Sequence, residues 1–372
     1  MIRRYLPQST EEMIHWYERY VAPVALIAGF LLDTYVFLDR VDVLSGNLFL
    51  LSYLAIAACG IMLLNAIEAG RLRHRAYLAI APYVSIVIQF AFGGLFSGYL
   101  SLYSRSASFA ATWLFIVIIA ALLLGNERFR RLYTRMSFQI AIWFTALFSF
   151  LIFFLPVVFK YIGPWMFVAS GVLSLAIAAV FLYALSYVAP AIFSEQRTRI
   201  VRVIAVIFVV FNILYFTNII PPLPLALKDA GIYHSVSKLS AQSANGALYR
   251  LGGEATHWYE TFLWRHPTYH RTAGEGMYVF TAIFAPNGLD TTVRHEWEYF
   301  EPQKKGWELK STVNFEIHGG REGGFRGYSF KNAPEVGEWR VTVRTAHGQV
   351  IGRLNFMVAE VAMPVEQETT TF

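Results

Sequence analysis

The stretch TVRHEWEYF, residues 292–300, alternates between two kinds of residue. In an extended chain successive side chains point to opposite faces. Val293, His295, Trp297 and Tyr299 therefore fall on one face, and Thr292, Arg294, Glu296 and Glu298 on the other. One face is apolar and aromatic and the other charged, the pattern of a half-buried strand. The same period continues on both sides. In GEWRVTVRT (337–345), Trp339, Val341 and Val343 alternate with Arg340, Thr342 and Arg344. In GRLNFMV (352–358), Leu354, Phe356 and Val358 alternate with Arg353, Asn355 and Met357. MYVFTAIF (277–284), STVNFEI (311–317) and THWYETF (256–262) add further strands. Turn-forming residues separate them, in APNG, KKG, a glycine cluster, PEVG and AHGQ. Six or seven short strands at this spacing predict an antiparallel β-sandwich of immunoglobulin-like type over residues 255–360.

The flanks read differently. Pro221, Pro222 and Pro224 end the preceding helix, because proline lacks the amide hydrogen and its ring clashes with a continuing turn. The Ser-rich run YHSVSKLSAQSANG follows, so residues 221–254 are expected to be a connector, and 361–372 a flexible tail.

The runs MYVFTAIFAPNGLDTTVRHEWEYF, GGREGGFRGYS and GEWRVTVRTAHGQVIGRLNFMV resemble the bacterial family catalogued as domain of unknown function 2914. His295 with Trp297, and Gly337 with Trp339 and Arg340, carry the likeness, and IPPLPLALKDAGIYHSV is similar to the connector of multi-spanning members. The resemblance covers roughly residues 219–358. It implies a fold and a placement beside a membrane, and no chemistry.

Residues 1–220 are of another kind. The chain is 56% hydrophobic and 15% charged, against about 25% charged for a soluble domain. The apolar excess lies in blocks of roughly 20 residues, the length a helix needs to cross a bilayer. Spans are expected at 21–38, 46–67, 77–99, 106–125, 137–159, 162–188 and 201–220, seven in all. The first twenty residues are polar and show no cleavage site, so the first span is expected to stay as an anchor.

The formal net charge of +6 suggests nucleic acid only until it is divided. Residues 221–372 hold 15 Lys and Arg against 16 Asp and Glu, which excludes a nucleic-acid surface on electrostatic grounds. The basic excess belongs to alternate joints between spans. Arg3, Arg4 and Arg19, then Arg71, Arg73 and Arg75, then Arg128, Arg130, Arg131 and Arg135, then Arg197, Arg199 and Arg202 lie on one side; Arg40, Arg105 and Lys160 lie on the other. Basic joints mark the cytoplasmic side. The expectation is a multi-pass protein of the bacterial inner (cytoplasmic) membrane, with a cytoplasmic N-terminus and an extracytoplasmic C-terminal domain.

Within the spans, Asp33, Gln89 and Asn212 are the polar residues of interest. Asp33 sits near an outer end, within reach of headgroups or Arg40. Gln89 and Asn212 read as interhelical hydrogen-bond partners. Gly94-x-x-x-Gly98 and the spacing Ser170, Ser174, Ala178 mark close helix packing.

The glycine cluster HGGREGGFRGYS (318–329) invites comparison with a phosphate cradle, but such a cradle opens a helix, and here strands flank it. It reads as a hairpin loop, or as the lip of a ligand site in which Arg321 and Arg326, with Gly323, Gly324 and Tyr328, meet an anionic sugar, headgroup or carboxylate. His295 and Trp297 are further ligand-binding candidates, although a strand histidine beside tryptophan also fits a core position. His266 and His270 have metal-like spacing, but Pro267 and the lack of further ligands speak against a metal. No metal and no cofactor is expected. Glu296 and Glu298 beside Arg294 read as a solvated charged face.

Three functions fit. In the first, the membrane part displays a β domain that binds an envelope component: a glycan, a lipid headgroup or a protein. In the second, Asp33, Gln89 and Asn212 line a transport path. In the third, an envelope enzyme gathers His295 or His270 with a carboxylate.

Overall fold

The computed structural model describes residues 43–106, 117–122, 135–222, 224–243, 246–255, 267–321 and 323–372. Asp33, Arg40, the expected span 21–38, most of 106–125, the expected strand THWYETF and His266 lie outside the described residues. The chain divides into two compact units: one helical, the other taking in Leu155–Met166 and Tyr215–Phe372.

The helical unit contains α1 (Leu44–Glu68), α2 (Arg75–Ser106), α3 (Met136–Phe159), α4 (Pro164–Val188) and α5 (Pro190–Phe216). All five are long and apolar enough to cross a membrane. α3 is the inner helix, with Phe144, Phe148, Phe150 and Phe153 fully buried. The others leave large apolar side chains such as Phe90, Trp165 and Val180 exposed, a surface suited to lipid rather than water. α5 begins eleven residues before the expected 201–220. Pro190 fits a first helical turn, where a missing N–H costs nothing, and the polar run after it simply continues the helix.

Small residues join α4 to α3 as the spacing implied. Ser170 and Ser174 are fully buried and Ala178 nearly so, and the Ser170 hydroxyl donates to Leu151 O of α3 at 3.0 Å. Of the polar side chains singled out in the spans, the Asn212 amide donates to Phe208 O, one turn back in its own helix, at 2.8 Å, and Gln89 is half-buried. A buried amide bridge runs from Asn65 Nδ2 on α1 to Gln139 Oε1 on α3, 2.8 Å.

Among the described residues the second unit is all-β from Ala226 onward, and it also takes in the helix ends 104–106 and 215–216 and residues 155–166. Its strands are β1 (Ala226–Tyr233), β2 (Ser235–Ser243), β3 (Gly246–Glu254), β4 (Thr268–Arg271), β5 (Met277–Phe284), β6 (Asp290–Glu301), β7 (Gly306–His318), β8 (Phe325–Lys331), β9 (Gly337–Thr345), β10 (Val350–Glu360) and β11 (Gln367–Thr371). They form three sheets, β1-β5-β8, β4-β10-β9-β6-β7 and β11-β3-β2. The pairing is antiparallel except for β4 beside β10, which is parallel.

The alternation read from TVRHEWEYF holds: Val293, His295, Trp297 and Tyr299 are buried. With Trp339, Val341, Phe356 and Val358 they face Met277, Val279 and Ile283 of β5, so the first two sheets share one core. β5 is covered on its other face too. Phe280 and Ala282 pack there against Tyr249 and Leu251 of β3, which explains why MYVFTAIF is apolar on both faces. The third sheet corrects two expectations. Residues 221–254 are not merely a connector, since they supply β1, β2 and β3, and the tail 361–372 carries β11, paired along β3. Their Ser- and Thr-rich sequence hides this because the side chains of β11 are all exposed; backbone pairing alone defines the strand.

The glycine cluster is a third correction. β7 pairs with β6 and β8 with β5, so the cluster crosses between sheets and turns no hairpin. The Gly319 and Gly320 amides donate to Leu289 O and Ala285 O, both at 3.0 Å, which pins the crossing to the APNG turn. A Cβ on Gly319 would lie 1.8 Å from Pro286 O, and Gly324 adopts φ +83° against the β5 backbone. Close backbone approach, rather than a ligand, accounts for these glycines.

Candidate functional site

β8 is an edge strand whose residues alternate between two environments. Ser329 turns inward and is buried; Arg326, Tyr328 and Phe330 turn outward. Tyr328 and Phe330 are 43% and 47% exposed. Neighbouring strands extend the aromatic surface. The Tyr278 ring lies 4.7 Å from that of Phe330 and 6.0 Å from that of Tyr328, and Tyr249 of β3 lies 6.1 Å from Tyr328. Burial raises the Tyr249 pKa and Tyr328 adds to the rise, while the nearby charges of Arg321 and Arg326 offset part of it. Arg321 also sits over the Phe325 ring at 4.9 Å, and a Cβ on Gly323 would be 3.4 Å from an Arg326 nitrogen. The structure thus gathers Arg321, Gly323, Arg326 and Tyr328 at one edge, with Tyr249, Tyr278 and Phe330 beside them. Phe330 was not singled out from the sequence, although the alternation in GYSF could have found it; nothing local points to Tyr249, which arrives through the third sheet. Exposed rings stack on the C–H faces of a sugar, and guanidinium groups bind oxyanions.

His295 and Trp297 do not join this site. They lie on the inward side, in the core, and His295 is 0% exposed. Its Nε2 is 3.0 Å from Thr281 Oγ1 and its Nδ1 2.8 Å from Ser329 Oγ, which also accepts from Trp297 Nε1 at 3.1 Å. Burial depresses the imidazole pKa to about 4, so the ring is neutral at neutral pH. The network closes if Ser329 donates to Nδ1 and His295 donates from Nε2 to Thr281. These polar groups stitch two sheets together and meet no solvent.

A second histidine cluster went unrecognised in the sequence. His234, buried and stacked on Tyr269 with centroids 4.4 Å apart, sits between two carboxylates. Its Nδ1 is 2.7 Å from Glu275 Oε1 and its Nε2 3.2 Å from Glu254 Oε1. Glu254 also meets His270, by Nδ1 at 2.8 Å and by the backbone amide at 2.6 Å. His270 therefore has a carboxylate partner, used to tie β4 to β3. Among the described residues no His, Cys, Asp or Glu group is arranged to hold a metal ion.

Burial alone would lower the His234 pKa, but the hydrogen bonds and charges of Glu254 and Glu275 outweigh it and the net shift is upward. A raised folded value means that the stabilisation is complete below the ordinary value of about 6.5 and is lost as pH rises through the folded value. The penalty of His234→Gln, read as the difference in thermal midpoint from the parent chain, is expected to be largest near pH 6 and to shrink toward pH 9. A penalty that grows with pH contradicts the assignment.

These features define a class: a region of long apolar helices followed by an all-β region with an aromatic, arginine-flanked edge. Residues 290–358, covering β6 to most of β10, match the family described as "Protein of unknown function (DUF2914)". No curated protein matches the chain. Among solved structures, the chain aligns with the Pseudomonas fluorescens alkylpurine DNA glycosylase AlkC bound to DNA containing an abasic site analog, at 10% identity over 86% of this chain and 99% of that one, with a TM-score of 0.19. A score that low carries no argument about fold or function.

Proposed function

We propose that the protein is a multi-pass protein of the bacterial cytoplasmic membrane. Its immunoglobulin-like β unit stands outside the cytoplasm and binds an acidic envelope glycan on the edge formed by Arg321, Arg326, Tyr328 and Phe330. The observation that carries the reading is the exposure of Tyr328 and Phe330 beside two arginines on an edge strand. Such rings are held in place by tilted and edge-on contacts with Tyr249 and Tyr278, so little side-chain entropy is lost when a sugar stacks on them.

Topology has support that does not depend on how many spans precede α3. The joint between α3 and α4 belongs to the same compact unit as the strands, and Ile162 is part of their core. Two helices, α4 and α5, separate that joint from β1. If both cross, the joint and the β unit share a side. The joint carries Lys160 alone, whereas α5 begins with Arg197, Arg199 and Arg202 in its first half, which favours the outside for the joint.

Two measurements test the reading. In a Cys59→Ser background, Lys304→Cys is expected to react with a membrane-impermeant thiol reagent added to intact spheroplasts. The purified full chain is expected to bind acidic oligosaccharides in preference to neutral ones, with affinity falling about tenfold in Tyr328→Ala and in Arg326→Ala. Labelling only after lysis would reverse the topology, and parent-like binding by both variants would remove the site.

A further inference from the structure

The outward face of the five-stranded sheet was expected to be a solvated row of charges. It is instead an ordered array. Thr342 stands at its centre, opposite Arg353 of β10 on one side and Glu296 of β6 on the other. Arg340 and Arg344 lie two residues away on the same face of β9, and Arg294 and Glu298 flank Glu296 on β6. Glu298 accepts from Arg340 Nε and Thr342 Oγ1, each at 2.7 Å, and pairs with the second Arg340 nitrogen as well. Glu296 accepts from Arg344 Nε at 2.7 Å and lies 2.9 Å from Arg294 Nε, an ion pair by distance though not a hydrogen bond by angle. Arg340 is further held over the Trp307 ring at 4.3 Å, and Arg344 donates to Gly348 O at 2.9 Å.

Both carboxylates are therefore committed, to three guanidinium groups. Arg353 is the fourth. Its Nε is buried and has no acceptor among the described residues. Burial and then the charges of Arg340 and Arg344 push its pKa below the usual arginine range, with Glu298 opposing. A guanidinium half-withdrawn from water beside two like charges costs free energy unless an anion joins it. Asn355, next on the same face of β10 and opposite Arg340, adds a side-chain amide to the rim.

We propose that Arg340, Arg344 and Arg353 form a second ligand site, a socket around Thr342 for a single phosphate-type oxyanion. It lies on the outward face of the five-stranded sheet, whereas the aromatic shelf belongs to the edge strand of another sheet, so the two fail independently. The phosphate comes either from solution or from an anionic lipid headgroup.

The test uses the full chain in nanodiscs of phosphatidylcholine, with inorganic phosphate as probe and thermal midpoint as readout. Phosphate is expected to raise the midpoint of the parent chain and of Arg321→Gln alike. In Arg353→Gln the apparent phosphate affinity is expected to fall about tenfold or more, while the phosphate-free midpoint at low salt stays level or rises, because the surplus cation is gone. A purely structural arginine would give a lower phosphate-free midpoint. That result, or a phosphate response that survives in Arg353→Gln or is absent from the parent, overturns the proposal. Repeating the titration in phosphatidylglycerol nanodiscs identifies the source. A response abolished there assigns the socket to lipid headgroups, and an unchanged one to soluble phosphate; both uphold the socket.

Discussion

Replacing Ile162 by aspartate, between two apolar helices and far in sequence from any strand, is expected to unfold the β unit. Ile162 is 8% exposed and packs with Leu225, Ile283, Leu289, Val293, Ile317, Val343 and Ile351. Removing its side chain as Ile162→Ala should cost about 2–4 kcal/mol, the transfer loss plus an unfilled cavity. Placing a carboxylate in that cluster without a partner costs several kcal/mol more, comparable with the whole stability of a domain at about 5–15 kcal/mol. Limited proteolysis of the full chain reads the outcome. The strands should be cut rapidly in Ile162→Asp, moderately faster than parent in Ile162→Ala, and at the parent rate in Ile162→Val. Parent-like resistance in Ile162→Asp would show that the joint is not part of the core. A corollary concerns soluble fragments: one beginning after α5 lacks Ile162 and leaves a hole in this cluster.

Ser329→Ala is the second large effect. The deleted hydroxyl is the shared partner of His295 Nδ1 and Trp297 Nε1, both buried. Two orphaned polar groups at about 1–3 kcal/mol each predict a loss of about 3 kcal/mol, measured by denaturant unfolding of the full chain followed through tryptophan fluorescence. Its neighbour supplies the control. Tyr328 points the other way and is 43% exposed, so Tyr328→Ala should change stability by less than about 1 kcal/mol while lowering glycan affinity about tenfold. Adjacent residues of one strand thus separate stability from recognition, and a stability loss in Tyr328→Ala as large as in Ser329→Ala would erase that separation.

What was legible in the sequence was what local rules govern. The alternation of Trp297 and Tyr299, of Val341 and Val343, and of Phe356 and Val358 is a property of each strand alone, so the buried face of β6, β9 and β10 could be named in advance. The apolar blocks that became α1 to α4 were legible for the same reason, with ends displaced by a few residues. The glycine cluster was misread because a hairpin and a crossing between sheets use the same turn chemistry, and only the pairing of β7 with β6 and of β8 with β5 tells them apart. Glu296 and Glu298 were read as solvated for a related reason. Their partners, Arg344 and Arg340, lie more than forty residues away.

The amino-acid sequence by itself determined that the chain has a helical apolar part and an all-β part, which faces of β6, β9 and β10 are buried, and that residues 221–372 are electrically balanced. Tertiary structure alone decided that SVSKLSAQS and QETTT are strands, that a residue from a helix joint completes a β core, that His234 lies between two carboxylates, and that Tyr249 reaches the arginines of the glycine cluster. The physical reason is the range of the forces that fix each feature. Side-chain periodicity and hydropathy act within one element, whereas strand pairing, core closure and ion-pair partnership depend on contacts between segments whose sequence separation leaves no local trace.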